Sequence, residues 1–476
     1  MELLIKNPTI VTSARTFQAD VFVENGKIKA VGENLNPSTL RPFDPSTSSE
    51  FRAQGSGHRL NPSNIIDAEG KFLFPGGIDP HVHMYLPTPA GFSSDDFLSG
   101  SKSALRGGTT TLIDFVTPNR GQSLVDALNI RIEEAKNSVI DYTFHVSPVE
   151  WRETTEQEIR ECVKLGFPSF KVYMAYKSSV GLNYDVLEKV LNAVAAAGGM
   201  VTVHAELGDE IDILRSKFCE EGKTVPLYHP LSRPPHTESE AVKRIIEMAG
   251  AASCPLYIVH VSTKESLTHI KEAQENGQKV FAETCPHYLL LNDSVFQGNF
   301  DETSKYVLSP PLRKKEDSQA LWNAISDGIV QTIGTDHCPF SLNQKKFGLN
   351  DFRKIPNGAG GVEHRLELLF TYGVLKNKIS FNRFVDVTST GPAKIFGLYP
   401  NKGEIAEGSD ADLVIWNPNI ENVISAKTHL SRCDQNIFES FPIKGFPEFV
   451  IKSGNIVDLN NEQSLKPGNL LRRRQG

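Results

Sequence analysis

Ile78-Asp79-Pro80-His81-Val82-His83 follows a Pro75-Gly76-Gly77 break, and Lys71-Phe72-Leu73-Phe74 comes before that. An apolar run ending in two histidines reads as a buried strand. Residues two apart on a strand face the same side, so His81 and His83 can present two imidazoles to one point. Such a pair suits a divalent metal, and it equally suits two packed, hydrogen-bonded histidines. The surrounding chain decides between them.

From Lys71 onward, short β-branched strands alternate with amphipathic helical stretches. Strands are expected over 72–83, 109–115, 141–147, 169–175, 200–206, 256–262, 279–284 and 331–337. Helices are expected over 96–106, 122–137, 155–165, 184–197, 238–251 and 263–276. Eight such units predict an α/β fold of the (β/α)8 TIM-barrel type over residues 71–401. A doubly wound sheet would not need eight. Before the barrel, Leu3-Leu4-Ile5, Asp20-Val21-Phe22-Val23 and Lys27-Ile28-Lys29-Ala30-Val31 read as strands, with Asn25-Gly26 as a hairpin signal. After it, Ala411–Trp416 and Glu448–Lys452 do the same. One small β-sandwich built from both ends, residues 1–70 and 402–476, is the economical reading. A Pro/Ser/Gly/Thr-rich stretch over 37–64 reads as a long loop.

At 476 residues the chain is long enough for two domains, and its net charge of −7 offers no nucleic-acid surface. The only basic run, Arg472-Arg473-Arg474, reads as a solvated tail. No apolar stretch is long enough to span a membrane, and the N-terminus lacks the layout of a signal peptide. The six cysteines are scattered without a Cys-x-x-Cys pair, which argues for a reducing cytoplasm and against a cysteine-type zinc site. Cys338 reads as a small buried residue.

Barrel enzymes carry their chemistry at the C-terminal strand ends. There the expected strands place His81 and His83 (first), Lys171 (fourth), His204 (fifth), His260 (sixth) and Asp336 (eighth). One buried histidine is ordinary packing; four with an aspartate at equivalent ends are a metal-ligand set. Lys171 fits less simply. As an ammonium it would snorkel to the rim or pair with an acid. As a carbamate formed with carbon dioxide, it would be anionic and could bridge two cations. The set then divides into His81, His83 and Asp336 around one metal and His204 and His260 around the other, with Lys171 between. Two-metal sites hold their ions ~3.5–4 Å apart.

The sequence resembles the dihydropyrimidinase/hydantoinase family of cyclic amidohydrolases over nearly its whole length. The resemblance rests on Phe74–His83, Ser93–Phe97, Gly107–Phe115, Ser169–Tyr176, Glu283–Tyr288, Ser309–Arg313, Thr335–Pro339 and Gly408–Leu413. It implies a barrel flanked by a β-sandwich and a binuclear site, most simply of Zn2+, bridged by N6-carboxylysine at Lys171. It implies that Tyr176 donates to an oxyanion, and that Ser309 and Asn357 bind the ring amide and ureido groups of the substrate. The implied substrate is a small cyclic amide or imide, the implied catalytic base Asp336, and the implied assembly a homotetramer or homodimer. Manganese and cobalt suit the same donors. Two features depart from the family pattern: the length of 37–64 and the stretch Met84–Phe92. Allantoinase is the nearest alternative. Dihydroorotase is disfavoured because no arginine follows the histidine pair before Arg106. A non-catalytic scaffold of the collapsin response mediator type is disfavoured because all six ligand positions are filled.

Overall fold

The computed structural model describes residues 2–36 and 64–473. The expected loop at 37–64 lies, apart from Asn64, outside them, as does Arg474.

Eight parallel strands pair in chain order: Gly77–Val82, Thr109–Val116, Asp141–Val146, Ser169–Tyr173, Met200–His204, Leu256–Ile258, Val280–Thr284 and Thr332–Ile333. A parallel bridge from Val82 to His337 brings the last unit back to the first and nearly closes a TIM barrel. These strands are apolar on both faces because helices cover them outside and neighbouring strands fill them inside. All eight residues of Thr109–Val116 are buried. The helices begin where the sequence offers caps. Asp96 accepts from Ser99 N in a capping box, Ser123 caps Leu124–Ala135, and Thr263 caps Lys264–Glu275.

The second domain is two sheets from the two ends of the chain. One runs Lys27–Gly32, Asp20–Glu24, Glu2–Lys6, Ile65–Asp67; the other runs Asn455–Ile456, Pro442–Lys452, Leu413–Val423, Phe72–Pro75, Thr9–Val11, Thr16–Gln18. Period-two alternation explains how the larger sheet joins the domains. Leu73, Leu413 and Ile415 turn into the sandwich core with Leu3, Ile5 and Val21. Phe74, Val414 and Trp416, one residue along, turn into the barrel core.

Three expectations need correction. The strand expected over 72–83 breaks at Gly76, whose backbone N–H donates to Asp412 O at 2.7 Å. A Cβ there would lie 2.2 Å from Thr110 Oγ1, so only glycine lets the chain cross between domains. Phe72–Pro75 therefore pairs with Leu413–Trp416 in the sandwich, and only Gly77–Val82 belongs to the barrel. The strands expected over 200–206, 256–262 and 331–337 end early, at His204, Ile258 and Ile333. Finally, Arg473 is not solvated. It is buried, its guanidinium donates to Phe144 O, and the chain beside it pairs with the barrel through Leu471 N to Tyr142 O.

Candidate metal centre

All six strand-end residues converge on one mouth of the barrel. His81 Nε2 and His83 Nε2 are 3.2 Å apart. Asp336 Oδ1 lies 3.1 Å from the first and 3.0 Å from the second. On the other side, His204 Nδ1 and His260 Nε2 are 2.9 Å apart. His81 and His260 face each other across the gap with rings tilted by 31° and centroids 5.4 Å apart.

Buried carboxylates orient these rings. Glu283, fully buried, accepts from His81 Nδ1 at 2.6 Å and from the backbone N–H of His260 at 3.1 Å. Its other oxygen accepts from Tyr257 OH at 2.8 Å. Glu206 accepts from His204 Nε2 at 2.7 Å and is itself paired with buried Arg233. These bonds assign Nε2 of His81 and Nδ1 of His204 as the free lone pairs facing the mouth. Asp336 is steadied from both sides. Asp79 accepts from Thr335 N and Oγ1, and His337 Nε2 meets Asp95 Oδ2 at 3.1 Å.

Electrostatics suit a cation here. Burial pulls His83, His204 and His260 below the ordinary histidine range, the last well below, which keeps their lone pairs free. His81 behaves oppositely. Burial works against its proton, but Glu283 and Asp336 raise it to about 9, so a proton stands where a metal could. Burial raises Asp336, yet the two imidazoles override it and hold the carboxyl well below its usual range. Three donors of two residue types packed around one point are a set a divalent cation fits.

Lys171 is buried between the two groups, with Nζ 4.9 Å from the Phe115 ring centroid and 5.1 Å from that of Tyr173. It neither snorkels nor ion-pairs with a carboxylate among the described residues. Burial brings its pKa down to about 8, against the pull of Asp336 and Glu283. An amine with that pKa is available to react with carbon dioxide near neutral pH.

A cavity of about 980 Å³ opens over this cluster. Tyr176, Ser309 and Asn357 line it with His81, Lys171 and Asp336. Tyr176 packs on His204, with ring centroids 5.2 Å apart, and Arg233 lies over its ring at 5.5 Å. Asn357 Nδ2 donates to Ser309 Oγ at 3.2 Å, so two segments distant in sequence meet. Tyr85 and Phe92, in the stretch that departs from the family pattern, stack at 4.0 Å on the rim. Glu206, Glu283, Asp95 and Arg233 were missed as participants. The first two carried a signal, since each is an acid within or just beyond an apolar strand.

Residues 72–457 match the Amidohydrolase family. The D-hydantoinase of Geobacillus stearothermophilus is 42% identical over 471 residues, 98% of this chain and 95% of that protein. The dihydropyrimidinase of Arabidopsis thaliana is 40% identical over 467 residues, 98% of this chain and 84% of that protein. A crystal structure of a D-hydantoinase superposes with a TM-score of 0.92 at 41% identity, covering 100% of this chain and 99% of that one.

Proposed function

Because the chain belongs to the amidohydrolase family, and within it groups with hydantoinases and dihydropyrimidinases, we propose that it hydrolyses the ring amide of 5,6-dihydropyrimidines or hydantoins. The products are N-carbamoyl β-amino acids from the former and N-carbamoyl α-amino acids from the latter. The observation that carries this reading is the convergence of His81, His83 and Asp336 beside the facing pair His204 and His260.

His81, His83 and Asp336 would hold one divalent ion, His204 and His260 the second, with a carboxylated Lys171 shared between them. Zn2+ is the simplest choice for this donor set. Bound there, the ions would polarise a carbonyl and make water nucleophilic at neutral pH. Asp336 takes the proton of the attacking water and returns it to the leaving ring nitrogen. Tyr176 donates its hydroxyl to the carbonyl oxygen as negative charge develops. Ser309 and Asn357 hold the ring amide and ureido groups through their backbone. Six free thiols fit a reducing compartment such as the cytoplasm, and assembly as a homotetramer or homodimer is expected.

A panel of dihydrouracil, hydantoin, 5-substituted hydantoins, allantoin and dihydroorotate, assayed with metal-loaded enzyme, tests the reading. Ring opening of the first three is expected. Turnover of allantoin alone, or of no ring despite full metal loading, would replace it with the allantoinase or the scaffold reading.

A further inference from the structure

Lys345 is a lysine with an unusual address. It ends the short helix Leu342–Lys345 and is 1% exposed, whereas its neighbour Lys346 reaches the surface and pairs with Asp301. Among the described residues, Lys345 makes no ion pair with a carboxylate. Its Nζ donates instead to three backbone carbonyls: Val307 O at 3.0 Å, Pro356 O at 2.8 Å and Gly358 O at 2.8 Å. The last two flank Asn357, and the first lies two residues before Ser309. Val307 O also accepts from Gly358 N at 3.0 Å. A second buried side chain braces the same place: His229 Nε2 meets Leu308 O at 2.8 Å and Ser309 Oγ at 3.4 Å.

We propose that Lys345 is a positioning residue for substrate: its three hydrogen bonds lock the Val307–Ser309 and Pro356–Gly358 segments together so that their backbones hold the ring. This rests on the reading above that Ser309 and Asn357 bind the ring. A buried ammonium without a counter-ion is costly and is retained only where its donors are needed. Three donors on one nitrogen match three carbonyls that no single neutral side chain could satisfy.

The setting makes the clamp sensitive to pH. The titratable groups facing Nζ are the thiols of Cys338 and Cys433, both raised by burial and hence neutral. The Phe340 ring lies 5.6 Å away. Asp434 is exposed and accepts from Leu342 N at the start of the helix. Burial lowers Lys345 to about 7. The ammonium has three protons to donate and the neutral amine two. The clamp is therefore complete below about pH 7 and one bond short above it.

The test is steady-state kinetics of dihydrouracil and hydantoin hydrolysis by metal-loaded wild type, Lys345→Met and Lys345→Arg, from pH 6 to 9. Lys345→Met is expected to raise KM at least ~10-fold, the scale of one to two lost hydrogen bonds, with metal content unchanged and kcat less affected. Wild-type KM is expected to climb as pH passes 7, while Lys345→Arg, whose guanidinium stays charged, lacks that climb. A purely structural role predicts the reverse: fewer active, metal-loaded chains with KM unmoved, and that result overturns the proposal. If Lys345→Met does not fold, the comparison of wild type with Lys345→Arg decides, and parallel KM profiles overturn it. Wild type that opens no ring sinks the functional reading and this proposal together; activity with an unmoved KM sinks the proposal alone.

Discussion

Replacing Glu283 by glutamine removes one charge and changes three hydrogen bonds. The carboxylate is fully buried and accepts three hydrogen bonds, from His81 Nδ1 at 2.6 Å, His260 N at 3.1 Å and Tyr257 OH at 2.8 Å. Glutamine keeps one acceptor oxygen. If that oxygen faces His81 and His260, the new amide meets Tyr257, whose proton can turn to Thr332 Oγ1, 2.5 Å away. His81 then keeps its tautomer, and the loss is that of a charge-assisted bond made neutral. If the amide faces His81, it donates to Nδ1 and drives the proton onto Nε2, the atom that faces His83 and Asp336. The lone pair meant for a metal is then blocked. Loss of an outer partner of a ligating histidine weakens metal binding by ~10–100-fold, or about 1.4–2.7 kcal/mol. The first orientation predicts the lower end and the second the upper end. The assay is titration of metal-stripped protein with zinc against a chromogenic chelator, with circular dichroism to confirm the fold. Tyr257→Phe, which removes only the third donor, should bind metal close to wild type. A folded Glu283→Gln protein with wild-type zinc affinity would show that the carboxylate does not set the His81 tautomer, and the site assignment would need revision.

Lys171→Ala should be inactive and poor in metal, and acetate or propionate added with zinc should restore part of the activity by supplying a carboxylate in the vacated space; inactivity that no short acid relieves would argue against a bridging carbamate. Asp336→Asn keeps the side-chain volume but not the proton acceptor, and turnover should fall by at least ~10²-fold; near-normal turnover in a metal-loaded mutant would move the general base elsewhere. Stability should also fall in acid. Asp95 and Glu206 both titrate at about 2 because, against burial, His337 lowers the first and Arg233 and His204 the second. Depressed carboxylates stabilise fully above their unfolded pKa of ~4 and lose that contribution as pH falls toward 2. The Tm of metal-free protein should therefore drop between about pH 4.5 and 2, and Asp95→Asn should flatten the drop; identical profiles would show that Asp95 contributes nothing to acid stability.

Much of the proposed site was legible because each candidate ligand lies within or just beyond a buried strand. His81, Lys171 and His204 each sit beside a valine in a buried strand, and all three line one barrel mouth. Their buried supports were less legible because pairing is set by barrel closure. Glu283 meets His81 across 202 positions of sequence. Lys345 was invisible for a different reason. In Asn343-Gln344-Lys345-Lys346 nothing local separates the buried lysine from the surface one. Arg473 misled in the same way, since a run of arginines reads as solvated until the barrel is found to cover one of them.

The overlong strands expected over 256–262 and 331–337 share a physical cause, seen again just after the fourth strand. His260 and Asp336 sit at φ +42° and +50°, and Tyr176, just past the fourth strand, at +61°. Each is a non-glycine residue in the left-handed region, where a strand cannot continue, at a cost of order 1–3 kcal/mol apiece. Periodicity has no term for this. It extends a strand as long as the residue types allow, and so runs past His260 and reaches Asp336 with regular geometry. Surrounding bonds hold the strained backbone in place. Glu283 Oε1 takes the His260 N–H, and Asp79 pins Thr335 just before Asp336. At Tyr176, the backbone O accepts from Ser179 N and Gly181 N, both at 2.9 Å. The strain falls on two of the six residues proposed as ligands and on the proposed oxyanion donor, all three of which line the cavity. Three departures from regular strand geometry thus fall on residues proposed for chemical work, and each is held by hydrogen bonds to its own backbone or to the residue before it.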